Sequence, residues 1–225
     1  MDRLRLCTIN VRSIATEARL ADFETSVENI KFDVMGLFET RIPGKGRIDL
    51  ASGFSLYHSG ADGRASRGVG FYVPTSLCGR CNCYYHSERL IETCVKLRDG
   101  STLRVIQATP GPRQSEEFYI GTNAAAPRNC RGQILAEFCE ERKLFLANSF
   151  FKKKKQERWT WRNDALGLKK EIDYALVRSL KGVTDVGVLT SVNVGSDHRM
   201  LRCILRLNRI ARPNDTDFPL RIKTY

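Results

Sequence analysis

The first forty residues constrain the fold more than any other part of the sequence. Arg5–Val11 has the apolar pattern of a strand, and Phe32–Phe38 is a continuous apolar run of the kind found in strands buried on both faces. Between them, over Thr16–Asn29, apolar residues recur at the three-to-four spacing of an amphipathic helix. A strand, a helix and a second strand predict an α/β protein in which a right-handed crossover joins two parallel strands.

The rest of the sequence predicts short strands and one more helix. Between Gly53 and Ala108 short apolar runs alternate with Gly, Asp and Ser, which is typical of antiparallel hairpins, and Asp99–Gly100 is a strong two-residue turn signal. Gln133–Arg142 has helical spacing. Its residues expected to face the core are Ile134, Leu135 and Phe138. The predicted strands are Gly53–His58, Gly68–Pro74, Arg89–Leu97, Thr102–Ala108, Phe145–Ala147, Arg158–Arg162, Ile172–Val177 and Leu201–Leu207.

The composition predicts one folded domain followed by a tail. Hydrophobic residues make up 42% of the 225 residues and charged residues 28%, which permits a buried core and excludes wholesale disorder. We find no internal repeat and no low-complexity linker, so we expect a single domain over residues 1–207. Residues 208–225 are Arg-rich and contain two prolines, and we interpret them as a basic tail.

The charge of the chain points to a polyanionic partner. Lys and Arg number 37 against 25 Asp and Glu, which gives a net charge of +12. An excess of this size favours nucleic acid or an acidic membrane surface. No apolar run approaches the length of a membrane span, and the polar start lacks the core of a signal peptide. We therefore expect an intracellular, nuclear protein without membrane association.

The eight cysteines are mostly scattered, without the dense spacing of a secreted disulfide scaffold. Cys78, Cys81 and Cys83, with His86 close by, could form part of a zinc site. The second half of such a site is missing, and the cluster follows a strand-like run where we expect a loop. We therefore favour reduced cysteines in an intracellular loop.

Five polar residues stand at the ends of apolar runs. They are Asn10, Glu39, Asp173, Asp197 and His198. Each has an ordinary explanation by itself, such as capping a turn or pairing with a surface arginine. Taken together, carboxylates and an amide at strand ends form a hard oxygen-ligand set suited to Mg²⁺. The histidine adds a group for proton transfer or phosphate contact.

Six strings of residues carry a more specific resemblance. They are TINVRS, GLFETR, RGVGFYV, RWTW, EIDYALV and GSDHRML, in this order, between about Leu4 and Leu205. The sequence resembles the exonuclease–endonuclease–phosphatase superfamily, which includes the apurinic/apyrimidinic endonucleases. Within it, the sequence is most similar to the endonuclease domain of non-long-terminal-repeat retrotransposons and to craniofacial-development-protein-like reading frames. The resemblance implies two packed mixed β-sheets flanked by helices, a four-layer α/β sandwich.

The resemblance also implies roles for the polar residues. Glu39 would hold the catalytic Mg²⁺ (or Mn²⁺), with Asn10 nearby as a ligand or hydrogen-bond support and Asp197 beside the metal-facing side. His198 would contact the scissile phosphate, and Asp173 would orient His198 by accepting its ring proton. The implied substrate is DNA, whose hydrolysis would leave a 3′-hydroxyl that primes reverse transcription in retrotransposons. An earlier fusion to a reverse transcriptase is part of the same expectation.

The sequence departs from the family pattern after the strand that ends at Ala108. Members normally continue with a tyrosine, a helix and a strand ending in Gly-Asp-Phe-Asn, whose Asp activates the attacking water. Here Thr109 and Pro110 run directly into Gly111, so one strand and one helix are expected to be missing near residues 108–111. Asn123, in GTNAA, is a poor substitute because we assign its context to a later loop. We expect impaired hydrolysis.

Basic and aromatic residues between Lys152 and Trp161 suggest contact with nucleic acid. A run of four lysines precedes the RWTW string, and its ordinary explanation is a solvated loop. Its closeness in sequence to the proposed site makes phosphate contact equally reasonable. By the resemblance, Thr160 and Trp161 lie near the DNA, although one of the two tryptophans is expected in the core. The predicted nucleic-acid-binding residues are Lys153, Lys154, Arg158, Thr160 and Trp161.

Three functions are consistent with the sequence. The leading one is a metal-dependent endonuclease that nicks DNA. The second is a catalytically inactive nucleic-acid-binding relic of such a domain. The third, a phosphoesterase acting on phospholipids or inositol phosphates, is disfavoured by the retrotransposon-like RWTW and EIDY strings.

Overall fold

The computed structural model describes residues 3–63, 67–97, 100, 102–108, 119–121, 123 and 130–207. The side chains of residues 106–108, 130–132 and 134 are outside this description. So are the predicted basic tail, the predicted junction at 109–111 and Asp99 of the predicted turn. The expectation that Ile134 faces the core therefore also lies outside the described side chains.

The predicted strand–helix–strand opening is confirmed. Strand β1 (Arg3–Asn10), helix α1 (Glu17–Val27) and strand β2 (Val34–Phe38) follow one another, and β1 and β2 are parallel. The hydroxyl of Thr16 caps α1 by accepting a hydrogen bond from the Arg19 amide. The first four residues of β2 are buried, as the continuous apolar run predicted.

The remaining elements are short. In chain order they are β3 (Lys45–Asp49), β4 (Phe54–Ser59), β5 (Val69–Pro74), α2 (Thr75–Cys78), β6 (Cys81–Ser87), β7 (Leu90–Lys96), β8 (Thr102–Ala108), α3 (Cys130–Arg142), β9 (Phe145–Leu146), β10 (Trp161–Asn163), β11 (Leu168–Lys170), β12 (Leu176–Val177), β13 (Val183–Leu189) and β14 (Met200–Arg206). Two turns of 3₁₀-helix lie at Ala147–Phe150 and Lys155–Glu157.

The largest sheet has seven strands in the order β13-β14-β1-β2-β5-β4-β3. It is mixed, because β1 and β2 pair in parallel and the other neighbours are antiparallel. Helix α1 covers one face by burying Phe23 and Val27 against residues of β1 and β2. The parallel register sets Asn10 opposite Phe38, so the two strands end side by side. Their carboxyl ends, where α/β sheets usually place ligand sites, therefore meet at one edge.

A smaller antiparallel sheet, β6-β7-β8, packs on the other face of the large sheet. Val34, Val69 and Phe71 of the large sheet share a buried cluster with Cys81, Ile91 and Val95 of the small one. Two-stranded ribbons form between β10 and β11 and between β9 and β12. The predicted α/β sandwich, with a large mixed sheet and a second sheet packed on it, is confirmed.

A short chain segment lies beside β9 where the sequence predicted only a loop. Ile120 forms a parallel bridge to Leu146, and α3 connects the two along the chain. Gly121 lies so close to the backbone of Ser149 that an added Cβ would lie 2.5 Å from the Ser149 carbonyl oxygen. The Asn123 amide also donates to that oxygen, at 2.9 Å. Asn123 itself lies in a turn three residues after this bridge, which agrees with the interpretation of its context as a loop.

Several local predictions were wrong. Phe138 is 36% exposed, because the helical period of α3 directs Leu135 and Cys139 inward instead. The strand predicted from Arg158 begins only at Trp161. Four strands, β3, β6, β11 and β13, were not predicted.

The cysteine cluster is partly a strand rather than a loop. Cys81 and Cys83 lie in β6, and burial raises the pKa of both thiols to about 11. In the part of the chain that the structure describes, no three His, Cys, Asp or Glu side chains are placed to hold a metal ion. The same part contains no helix with the length and apolar character needed to cross a membrane.

Candidate active site

Asn10 and Glu39 lie at the adjoining ends of β1 and β2 and bind each other. The Asn10 Nδ2 atom donates to Glu39 Oε1 at 2.9 Å, and Asn10 Oδ1 accepts from the Arg12 amide at 2.9 Å. The second carboxylate oxygen of Glu39 pairs with the Arg41 guanidinium at 3.3 Å. The parallel pairing of β1 and β2 therefore brings together the two residues predicted to surround the cation.

The backbone around this pair is held in an unusual conformation. Arg12, Glu39 and Arg41 all have φ between 54° and 57°, a left-handed region that non-glycine residues rarely adopt. Backbone hydrogen bonds hold it in place: the Thr40 amide donates to the Gly68 carbonyl and the Arg41 amide to the Arg67 carbonyl. Strained residues of this kind cluster at functional sites, because the surrounding structure must compensate for their cost.

His198 and Asp173 form a second pair. Their Nδ1 and Oδ2 atoms are 2.9 Å apart, and each side chain is only 11% exposed. Because a carboxylate accepts, this contact assigns the proton to Nδ1 and leaves Nε2 as the nitrogen available for a ligand. Orientation of His198 by Asp173 is the arrangement that the resemblance implied.

A buried network holds the Asp173 segment in place. The hydroxyl oxygen of Thr160 accepts hydrogen bonds from the Ile172 and Asp173 amides, both at 3.0 Å. The Asn148 side-chain amide donates to the Asp173 carbonyl oxygen at 3.1 Å, and Asn148 Oδ1 accepts from the Ala175 amide at 2.8 Å. Thr160 is fully buried and Asn148 is 5% exposed, so solvent competes little with these bonds.

Backbone pairing places Asp197 and His198 beside the same segment. Trp161 and His198 form an antiparallel bridge, flanked by hydrogen bonds from the Arg162 amide to the Asp197 carbonyl and from the Arg199 amide to the Thr160 carbonyl. Thr160 and its neighbours therefore connect the two late segments that carry Asp173 and His198.

Asp197 links the two halves of the site. Its Oδ1 atom lies 3.7 Å from Arg12 Nε, and its Oδ2 atom accepts from Trp161 Nε1 at 3.0 Å. A series of contacts thus runs from Glu39 through Asn10 and Arg12 to Asp197. Asp197 is followed along the chain by His198, which pairs with Asp173. The structure brings together all five polar residues that the sequence singled out.

The predicted nucleic-acid-binding residues do not share one environment. The Arg158 side chain is 14% exposed and pairs with Glu171, and Thr160 has no exposed surface, so both lie mostly behind the site. Lys153 pairs with Asp185 and lies against Gly187, whereas Lys154 is exposed. Trp161 is partly exposed.

One tryptophan is in the core, as expected. Trp159 is 9% exposed, and the Arg199 guanidinium lies 3.2 Å from the centroid of its ring. Trp161 is therefore the tryptophan that remains at the site.

The carboxylate of the first pair fits a magnesium ion. Mg²⁺ is usually held by one or two carboxylates and keeps several waters. Glu39 supplies a carboxylate that is 42% exposed. Asn10 donates its amide nitrogen to that carboxylate while its oxygen accepts from the Arg12 amide, so Asn10 acts here as hydrogen-bond support. The exposure of Glu39 leaves room for waters and for a phosphate oxygen.

Three residues of the site were not predicted from the sequence. Arg12 bridges to Asp197, while Asn148 and Glu171 lie under the Asp173 segment. Arg12 is two residues beyond Asn10 and Glu171 two before Asp173, so both lie within the strings that carry the family resemblance. Asn148 stands in LANSF, where nothing in the local pattern distinguishes it from a turn residue.

Comparisons with known proteins identify the fold. No protein-family model matches the sequence. The chain superposes on the AP endonuclease LMAP of Leishmania major with a TM-score of 0.65, covering 91% of this chain and 88% of that one at 14% identity. The catalytic domain of Xenopus laevis APE2 gives 0.65, with 90% and 92% coverage at 14% identity. The chain therefore shares the fold of these two AP endonuclease structures.

Two further similarities match the more specific resemblance. The endonuclease domain of TRAS1, a telomere-specific non-LTR retrotransposon, superposes with a TM-score of 0.61 over 91% of this chain and 99% of that one at 13% identity. Craniofacial development protein 2 of Tragulus javanicus is 21% identical over 262 residues, which cover 95% of this chain and 45% of that protein. The chain thus spans less than half the length of this curated relative.

Proposed function

We propose that this chain is a divalent-metal-dependent phosphodiesterase that nicks DNA, as a retrotransposon-type endonuclease domain does. The observation that carries the proposal is the series of contacts from Glu39 to Asp197, which adjoins the His198–Asp173 pair. A net charge of +12 favours a polyanionic substrate, and DNA hydrolysis in the cell implies a nuclear location.

Each residue has a definite task in this proposal. Glu39, supported by Asn10, would hold Mg²⁺ or Mn²⁺, which supplies charge neutralisation at the phosphate when bound. His198 would donate a hydrogen bond from Nε2 to a phosphate oxygen once that nitrogen is protonated, while Asp173 stabilises the resulting imidazolium through Nδ1. Arg12 and Arg41, which are 55% and 44% exposed, would contact phosphates beside the cut.

A nicking assay with supercoiled plasmid tests the proposal. We expect the chain to open the plasmid in Mg²⁺ and to be inactive in EDTA. Glu39→Ala should remove nicking, whereas Glu28→Ala, an exposed carboxylate at the end of α1, serves as the matched control and should retain it. Nicking that survives Glu39→Ala, or that proceeds equally in EDTA, would contradict the proposal.

A second candidate is the inactive nucleic-acid-binding relic. It is favoured by the sequence after Ala108, where no Asp-x-Asn follows to activate water. Loss of a general base costs about 10²- to 10⁴-fold in rate. Binding of duplex DNA at moderate salt without nicking in Mg²⁺ or Mn²⁺ would select this candidate. Cleavage of a lipid or inositol phosphate, with no action on DNA, would instead select a phosphoesterase.

A further inference from the structure

The indole of Trp161 makes a contact that the function proposed above does not use. Its Nε1 atom donates to Oδ2 of Asp197 at 3.0 Å. The indole N–H is the only polar group of a tryptophan side chain, and it can only donate. A bond to a carboxylate is the stronger, charge-assisted kind, so it fixes the direction of both side chains.

Backbone pairing places Trp161 next to Asp197, so this hydrogen bond can orient the Asp197 carboxylate. Trp161 stands opposite His198 in the antiparallel bridge, and the next amide, Arg162 N–H, donates to the Asp197 carbonyl at 3.0 Å. These contacts position the main chain of Asp197 but leave its side-chain torsions undetermined. The indole N–H and the Arg12 guanidinium then hold one carboxylate oxygen each.

Trp159, two residues earlier in the chain, has a different environment from Trp161. Trp159 is buried, with Arg199 over its ring at 3.2 Å and Lys169 at 5.2 Å from its centroid. Its ring is already covered by the protein's own cations. Trp161 is partly exposed and lies directly beside the Asp197–His198 pair, so its ring is available to a base or sugar.

We infer that Trp161 is a positioning residue that orients the Asp197 carboxylate through its indole N–H while its ring contacts the nucleic acid. One side chain would then connect substrate binding to the geometry of the reacting site. The inference rests on the proposed function for its substrate, but the hydrogen bond itself is independent of catalysis.

Fluorescence tests the hydrogen bond without metal or DNA. The chain has two tryptophans, so Trp159→Phe leaves Trp161 as the single emitter. In that background Asp197→Ala should shift the emission maximum and intensity of Trp161. Asp164→Ala, which removes an exposed carboxylate of the same hairpin, is the control and should leave both unchanged. Equal spectra for the two variants would overturn the inference.

Kinetics and binding separate the two tasks of the side chain. Trp161→Phe keeps a ring but loses the N–H, so we expect kcat to fall about tenfold or more while the DNA Kd, measured by anisotropy in EDTA, stays within about twofold. Trp161→Ala should also weaken Kd, by about fivefold or more. In an Asp197→Asn background, Trp161→Phe should cause little further loss of kcat. An unchanged kcat in Trp161→Phe, or an unchanged Kd in Trp161→Ala, would contradict the inference.

Failure of the two proposals can be told apart. A wild-type chain that does not nick DNA refutes the nuclease function, and the fluorescence and Kd measurements then decide the role of Trp161 alone. A chain that nicks DNA but shows no response of Trp161 emission to Asp197→Ala refutes the inference and leaves the nuclease function intact.

Discussion

The buried ion pair between Arg158 and Glu171 provides a quantitative test of how the site is supported. The Arg158 and Glu171 side chains are 14% and 5% exposed, and their closest nitrogen–oxygen distance is 2.9 Å. Arg158 donates to both carboxylate oxygens, through Nε and Nη2. Asn148 adds a third donor at 3.2 Å and connects the pair to the Asp173 carbonyl. The pair therefore lies directly under the residue that orients His198.

Removing one partner should cost far more than removing both. Among the described residues, Arg158→Met leaves the Glu171 carboxylate with the Asn148 amide as its one other donor, and breaking a buried pair in this way costs about 3–5 kcal/mol. Glu171→Met leaves the Arg158 guanidinium with the Phe151 carbonyl as its remaining acceptor in the part of the chain that the structure describes, and it should cost a similar amount. The double variant replaces both charges with apolar groups of similar length, which is often nearly neutral. We therefore expect the double variant to be more stable than either single variant.

Urea unfolding of the four proteins gives the coupling energy. We expect the sum of the single losses to exceed the loss in the double variant by at least about 2 kcal/mol. Arg162 and Asp164 of the β10–β11 hairpin form a control pair whose side chains are 47% and 75% exposed. Removing this pair should cost less than about 1 kcal/mol. If the losses at Arg158 and Glu171 were additive and below about 1 kcal/mol each, the pair would behave as an exposed one, and the reasoning would be refuted.

Three further predictions concern single residues. Thr160→Val removes a fully buried acceptor that two backbone amides share and should lower the free energy of unfolding by about 1–3 kcal/mol in urea. Thr184→Val, whose hydroxyl is exposed, should change it little, and equal losses would contradict the account. Burial lowers the pKa of His58, so below about pH 6.5 the unfolded state binds a proton more readily than the folded state. The free energy of unfolding should therefore decrease below that pH, and His58→Phe should make the decrease smaller. Burial raises the pKa of the Cys7 and Cys203 thiols to about 12, so both should resist alkylation at pH 8 until the chain unfolds. For the same reason the free energy of unfolding should decrease as the pH rises above about 9. Rapid labelling of either thiol in the folded protein would contradict this prediction.

Much of the framework was predictable because it depends on local periodicity. The apolar run at Phe32–Phe38 and the helical spacing before it identified the parallel pair that sets Asn10 beside Glu39. Hairpin strands such as Thr102–Ala108 were also found with correct bounds. Of the four strands that were missed, β3 and β11 consist of mostly exposed, charged residues that show no apolar pattern.

The support of the site could not be predicted, since it depends on contacts between distant segments. Arg158 and Thr160 stand in a basic and aromatic string that suggested DNA contact. Their partners are residues 171–173, which follow the β10–β11 hairpin. Their burial depends on tertiary packing, which residue type alone does not reveal. Phe138 shows the same limit, because one helical position decides whether a ring faces the core.

The most direct test of the central claim compares wild-type and His198→Ala chains on one nicking substrate at matched DNA affinity. If the residues from Glu39 through Asp197 to the His198–Asp173 pair form a phosphodiesterase site, wild-type should open supercoiled plasmid in Mg²⁺ and leave 3′-hydroxyl ends that a polymerase can extend. His198→Ala should lose about 10²-fold or more in rate with an unchanged Kd. Equal rates in the two proteins, or no nicking by either despite tight binding, would contradict the account.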